Sequence, residues 1–223
     1  MKRLVYTGLL LLGLSVFLSC APCRYVKPLD KKQQAASLTF GGPVIRFAGA
    51  ALPMPFITAG YGYGLSSKVT LYGNLHLTSM AFSNLQTDMG ASIRIYEKTG
   101  HYGFSVGPAL QFATSFKAAN STRLWPSCDL NSYFHVKKSP SYVYGGVNVW
   151  LETSTTRAHK EPQPQQIIPN LHIGYQHVTS KWQQQVQLSY LSPGTKNLPG
   201  VVDYVGLAGK GSFGLYYAVI RLF

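Results

Sequence analysis

Charge is what this chain has least of. Only 12% of its 223 residues are Asp, Glu, Lys or Arg, and Asp and Glu together number seven, against a hydrophobic content of 46%. A soluble globule of this length needs a wider polar coat, so something other than water covers much of the surface. Cysteine is scarcer still. Three residues make no disulfide scaffold, and no CxxC pair recurs at metal-ligand spacing, so neither a stapled fold nor a structural zinc site is indicated. The apolar run near the start, Leu9 to Phe17, is too short for a transmembrane helix.

What the chain does have is repetition. From Val69 to Phe223, segments of about ten residues alternate apolar with small or polar side chains and end in turns, as transmembrane β-barrel strands do. In the clearest copy Tyr102, Phe104, Val106, Pro108, Leu110 and Phe112 share one face, opposite Gly103, Ser105, Gly107, Ala109, Gln111 and Ala113. Strand side chains alternate faces with a period of two, so this run cannot form one stripe on a helix. In Trp182 to Leu191, Gln183, Gln185, Gln187 and Ser189 share a face that would be costly in a dry core and reasonable against a wet or hydrogen-bonded lumen. Cys128 falls on the apolar face of its strand and reads as a small hydrophobe. High Gly (22) and Tyr (15) counts fit small inward faces and aromatic girdles.

The fold class is therefore all-β, a transmembrane antiparallel up-and-down barrel of about ten strands, within about eight to twelve. The strands are expected near Leu38 to Phe47, Phe56 to Leu65, Val69 to Thr78, Asp88 to Tyr96, Tyr102 to Ala113, Arg123 to Val136, Tyr142 to Glu152, Ile167 to His177, Trp182 to Leu191 and Phe213 to Phe223. Short joins (66–68, 97–100, 137–141, 178–181) alternate with longer ones (48–55, 79–87, 114–122, 153–166, 192–211), and an even strand number puts both chain ends in the periplasm. A soluble β-sandwich is the plain alternative. A lipocalin-like barrel, with its apolar face inward, is another.

Lys2 and Arg3, the Leu9 to Phe17 run and Leu18-Ser19-Cys20 resemble a bacterial lipoprotein signal, which implies cleavage after residue 19 and acylation of Cys20; cleavage after Ala21 is the rival. Acyl chains each add about 0.8 kcal/mol of membrane affinity per buried methylene. Residues 20–36, with Arg24, Lys27, Pro28, Lys31 and Lys32, read as a lipidated start and polar linker, and residues 37–223 as the barrel. Phe223 closes the chain in a pattern that resembles the terminal assembly signal of outer-membrane barrels, with Arg221 as a departure from it.

The chain further resembles a group of outer-membrane lipoproteins of Bacteroidota through Cys20, Tyr25-Val26-Lys27-Pro28-Leu29, Phe40-Gly41-Gly42-Pro43 and Pro53-Met54-Pro55-Phe56. The resemblance implies location and architecture only. The partners expected are outer-membrane lipids and lipopolysaccharide, the barrel assembly machinery and an unidentified envelope protein. No cofactor is expected.

About ten strands is well below the roughly 16 to 18 that leave an aqueous channel in porins. The expected lumen carries Tyr72, Asn74, His76, Asp88, Arg94, Arg123, Asp129, Asn131, His135, Asn148 and His172. These form either a satisfied internal network, since buried charge must be paired, or a narrow path or ligand site around Arg94, Asp129 and His135. The function expected is structural or interactive, with the lumen plugged by the barrel's own side chains; narrow transport is the alternative. A lipid-modifying enzyme is a further one, for which His76 with Ser79, or His159 with Glu161, offers a pairing outside any matching motif. Gly60-Tyr61-Gly62-Tyr63-Gly64 lacks the strand-to-helix context of a phosphate loop. The net charge of +13 is scattered over linker, turns and loops, with no nucleic-acid platform. The Arg157 to Lys160 loop is either one set against lipid phosphates or a plain solvated loop.

Overall fold

A computed structural model describes residues 24–117, 122–136, 139–156, 162–200 and 202–223. Residues 1–19, expected to be an export signal, Cys20, Cys23, and Arg157 to Glu161 with His159 lie outside them.

Eleven strands form in chain order: β1 Gln34–Phe47, β2 Ala50–Pro53, β3 Ile57–Ser66, β4 Val69–His76, β5 Asn84–Lys98, β6 Tyr102–Ser115, β7 Arg123–His135, β8 Tyr142–Leu151, β9 Ile167–Val178, β10 Trp182–Lys196 and β11 Lys210–Leu222. A short helix, α1 Leu77–Ala81, follows β4. Each strand pairs antiparallel with its neighbour, and β11 returns to β1 from Ala35 opposite Leu222 to Pro43 opposite Gly214. Since β2 pairs only with the far end of β1, eleven strands less one leave ten in the closed barrel. Closure matters because a strand edge in hydrocarbon would leave backbone groups unsatisfied, at several kcal/mol each.

All ten expected strands form. The expected joins differ most at three places, besides strand ends that run one or two residues into other joins. Residues 48–55 hold β2, residues 79–87 hold the end of α1 and the start of β5, and β10 runs on to Lys196. At Gly41, β1 leaves its pairing with β3 and bends toward β2. Its φ of +116° and the nearby backbone of Leu215 leave no room for a Cβ.

The alternation sets the faces as expected of a membrane barrel. Leu71, Met89, Leu110, Leu130, Leu171, Ile173 and Leu188 point outward and are exposed, while Thr70, Asp88, Gln111, Asn148 and Gln185 point inward and are buried. This is the reverse of a lipocalin-like or sandwich arrangement. Ser132, the polar lapse on the outer face, donates to the Gly145 carbonyl at 3.2 Å. Cys128 is free and half-buried on the same face.

The stretch read as a polar linker is, from Arg24 to Leu29, inside the barrel, and its last three residues, 34–36, already belong to β1. Arg24, Tyr25, Val26, Pro28 and Leu29 are buried. The segment descends the lumen toward the short-turn end and turns at Asp30 to Gln33, where Lys32 takes φ 67° and its N–H bonds the Gly64 carbonyl at 2.7 Å. Chain polarity explains the placement: apolar Tyr25, Val26 and Leu29 bury themselves, while Arg24 and Lys27 meet the inward carboxylates of Asp129 and Glu97.

Candidate functional site: the occupied lumen

The lumen is organised around three carboxylates, Asp88 on β5, Asp129 on β7 and Glu97 near the end of β5. Three cations meet them. Arg24 Nη1 donates to Asp129 Oδ2 at 2.7 Å and its Nε lies 4.0 Å from Asp88 Oδ1, Lys27 Nζ donates to Glu97 Oε1 at 2.6 Å, and Arg94 pairs with Glu97 from the other side. Two of the three cations come from the N-terminal segment, so without it Asp129 would lose its one cation, while Asp88 would keep His76 and Glu97 would keep Arg94.

Main-chain contacts hold the same segment. The Val26 carbonyl accepts from Ser105 Oγ at 2.6 Å and Ser92 Oγ at 3.4 Å, Leu29 N–H donates to Thr70 Oγ1 at 2.7 Å, and Gln185 Nε2 donates to the Arg24 carbonyl at 3.4 Å. The wall is shaped to match. A Cβ on Gly62 would lie 2.6 Å from Tyr25 Cζ, and one on Gly64 would strike the Asp30 carbonyl. That assigns the Gly60 to Gly64 run a packing role, with Tyr61 and Tyr63 exposed outside. The Tyr25 ring packs against Tyr72 with centroids 6.0 Å apart, and burial pushes its hydroxyl pKa up to about 12. Burial pulls the Arg24 pKa down, but Tyr72, Asp129 and Asp88 outweigh this, so it is raised overall and the guanidinium stays charged.

The eleven residues expected in the lumen sort into separate groups. Asn74 Nδ2 donates to Asp88 Oδ1 at 2.7 Å and His76 Nε2 lies 3.0 Å from Asp88 Oδ2. Asn148 donates to Asp129 at 2.9 Å, and Asn170 donates to Asn148 at 3.0 Å. His172 Nε2 lies 2.7 Å from Asn131 Oδ1. Tyr72 faces the segment. Arg123 stands apart at the long-loop rim, bonded to Ser154. Arg94 and His135 converge on Glu97, His135 Nε2 lying 3.4 Å from Oε1, but Asp129 does not join them and pairs with Arg24 instead. The imagined Arg94, Asp129 and His135 group is therefore split between two clusters.

Sequence reasoning missed Arg24 and Lys27 as lumen residues, and Glu97. The Glu97 error traces to a register shift in the β5–β6 pairing between Arg94 and Tyr96, which leaves Ile95 and Tyr96 both outward and turns Glu97 in. The two adjacent apolar residues were its signal. The missed cations had a signal too, in two inward aspartates with no inward cation opposite them on the neighbouring strands.

A cavity of about 30 Å3, room for a water or two, lies beside the segment and is lined by Arg24, Asp129, Asn131, Asn148, His172 and Gln187 among others. Tyr133, Tyr144, Tyr216 and Gln185 are fully buried and fill the lumen around it. Toward the long loops, Trp125 and Trp150 lie with ring centroids 5.7 Å apart, and Trp125 Nε1 donates to Glu152 at 2.9 Å. Ser79 donates to Gln86 Oε1 at 2.8 Å, while His76 is engaged with Asp88. No group of three or more His, Cys, Asp or Glu placed to hold a metal occurs among the described residues.

This geometry is that of outer-membrane barrels. An outer membrane channel from Pseudomonas putida F1 superposes with a TM-score of 0.50 over 92% of this chain and 100% of its own, at 11% sequence identity. A bacterial polysaccharide outer membrane secretin gives 0.41 at 9% identity, over 87% of this chain and 98% of its own. The translocator domain of the autotransporter NalP from Neisseria meningitidis gives 0.35 at 11% identity, over 98% and 95%. No family model matches the chain, and no curated protein matches it. At such identities the likeness establishes the fold, a closed barrel of the outer-membrane kind.

Proposed function

We propose that this protein spans the bacterial outer membrane as a barrel kept shut by its own N-terminal segment, and that it serves a structural or interaction role rather than free diffusion. The outward apolar face supports the membrane, and the turn lengths support a periplasmic short-turn end, where β1 begins beside Phe223, whereas Arg24 lies at mid-lumen. In this reading Cys20 carries the lipid, lipopolysaccharide surrounds the long-loop end, and Phe223, which is 70% exposed, is presented to the assembly machinery. One observation carries the closed state: Arg24 and Lys27 neutralise Asp129, Asp88 and Glu97 from inside the barrel. The barrel side chains alone were expected to do this. We assign no catalytic role.

The rival reading is transport, as in the outer membrane channel of Pseudomonas putida F1. In this chain it requires the segment to leave the lumen. Purified protein in planar bilayers decides between them. Wild type is expected to stay silent and an Arg24→Glu, Lys27→Glu variant, which places two further negative charges against three carboxylates, to open discrete steps. Steady conductance by the wild type would refute the closed-barrel reading.

A further inference from the structure

Of the seven acidic residues, Asp88, Asp129 and Glu97 are engaged inside the lumen, and at the short-turn rim the only exposed one among the described residues is Asp30. The lysines have the opposite distribution. Lys31 and Lys32 in the turn before β1, Lys68 between β3 and β4, Lys98 before the β5–β6 turn and Lys181 before β10 are all exposed. They come from turns spread around the barrel, so they make a ring and not a patch.

The ring lies just beyond an outward aromatic belt. Tyr96 and Trp182 are exposed beside Lys98 and Lys181, and Tyr61 and Tyr63 are exposed near Lys32, whose N–H bonds the Gly64 carbonyl. Two residues of strand advance the chain by about 7 Å, which sets the Lys98 ammonium at headgroup depth if Tyr96 marks the interface. Arg221 belongs to the same level, its guanidinium 4.8 Å from the centre of the Trp182 ring. That stacking accounts for an arginine in the terminal strand where an apolar residue was expected.

We propose that this ring binds anionic phospholipid headgroups, holding a shell of such lipids around the short-turn end. A circumferential array at interface depth matches the plane of a leaflet, whereas a protein partner would meet one side of the barrel. The inference rests on the bilayer-spanning reading, and the test separates the two.

The tryptophans allow a direct measurement. Trp125 and Trp150 are buried in the lumen, while Trp182 is exposed on the outer face within the ring. Full-length protein is inserted into phosphatidylcholine vesicles containing a brominated quencher lipid, either phosphatidylglycerol or phosphatidylcholine, and quenching of Trp182 reports the lipid beside it. Wild type is expected to prefer phosphatidylglycerol on the order of fivefold at low salt, the size expected for a lysine near an anionic surface, and less at high salt. A K31Q/K32Q/K68Q/K98Q/K181Q variant should show no preference, and an R46Q/K117Q/K196Q/K210Q variant, altered at the opposite mouth, should keep it. Equal quenching of wild type by both lipids overturns the ring while leaving the barrel in its bilayer, as does loss of preference in both variants. Quenching by neither lipid overturns the bilayer-spanning reading.

Discussion

Replacing Arg24 with leucine removes the cation that Asp129 and Asp88 share. Arg24 is 8% exposed and its guanidinium bonds Asp129 at 2.7 Å. Breaking one side of a buried ion pair costs about 3 to 5 kcal/mol. Asp88 keeps His76 and Asn74, and Asp129 keeps Asn148, which favours the lower figure of about 3 kcal/mol, or roughly a hundredfold in the folded-to-unfolded ratio. Urea unfolding of the detergent-folded protein, followed by tryptophan fluorescence and by the heat-dependent shift of the folded band on a gel, measures it. A double-mutant cycle with Asp129→Asn then isolates the pair, with an expected coupling of about 1 kcal/mol or more. A change within about 0.5 kcal/mol, as at an ordinary surface site, or strict additivity in the cycle, would refute the placement of Arg24 in the lumen.

Gly62→Ala puts a methyl 2.6 Å from the Tyr25 ring and is expected to destabilise by about 1 to 3 kcal/mol; Tyr25→Leu in the same chain should recover most of that in the unfolding assay. Glu97→Gln, which leaves Lys27 and Arg94 without their shared carboxylate, should cost about 1.5 to 3 kcal/mol. Asp30→Asn on the exposed turn should change stability by no more than about 0.5 kcal/mol. Leu130→Lys, in the middle of β7 on the outer face, should cost about 2 to 4 kcal/mol in bilayers, read as a shift in the unfolding midpoint of vesicle-inserted protein.

The barrel was legible because its signal is repeated and geometric. Tyr102 to Ala113 states its two faces without a lapse, and even the lapse at Ser132 proves harmless once its hydroxyl finds the Gly145 carbonyl. Residues Asn74, His76, Asp88, Asn148 and His172 were readable as inward from parity alone. Their partners were not, because height within a lumen depends on stagger between strands, which no single strand records. Arg94, Asp129 and His135 looked like one group and belong to two. The N-terminal segment was hidden for a different reason. Arg24 to Leu29 has no periodicity, since its order comes from the tunnel around it and not from a ladder of its own. Its mixture of basic and apolar residues reads as a tether until Gly62, Gly64, Asp88 and Asp129 are seen as the mould that fits it.

Hydrogen exchange of the folded barrel, resolved over residues 24–33, tests the central claim most directly. The Leu29 amide, bonded to Thr70 Oγ1 inside the lumen, is expected to exchange as slowly as the amides of β5 and β6. Exchange of Leu29 at the rate of an unstructured peptide, while those strands remain protected, would contradict a barrel closed by its own N-terminal segment.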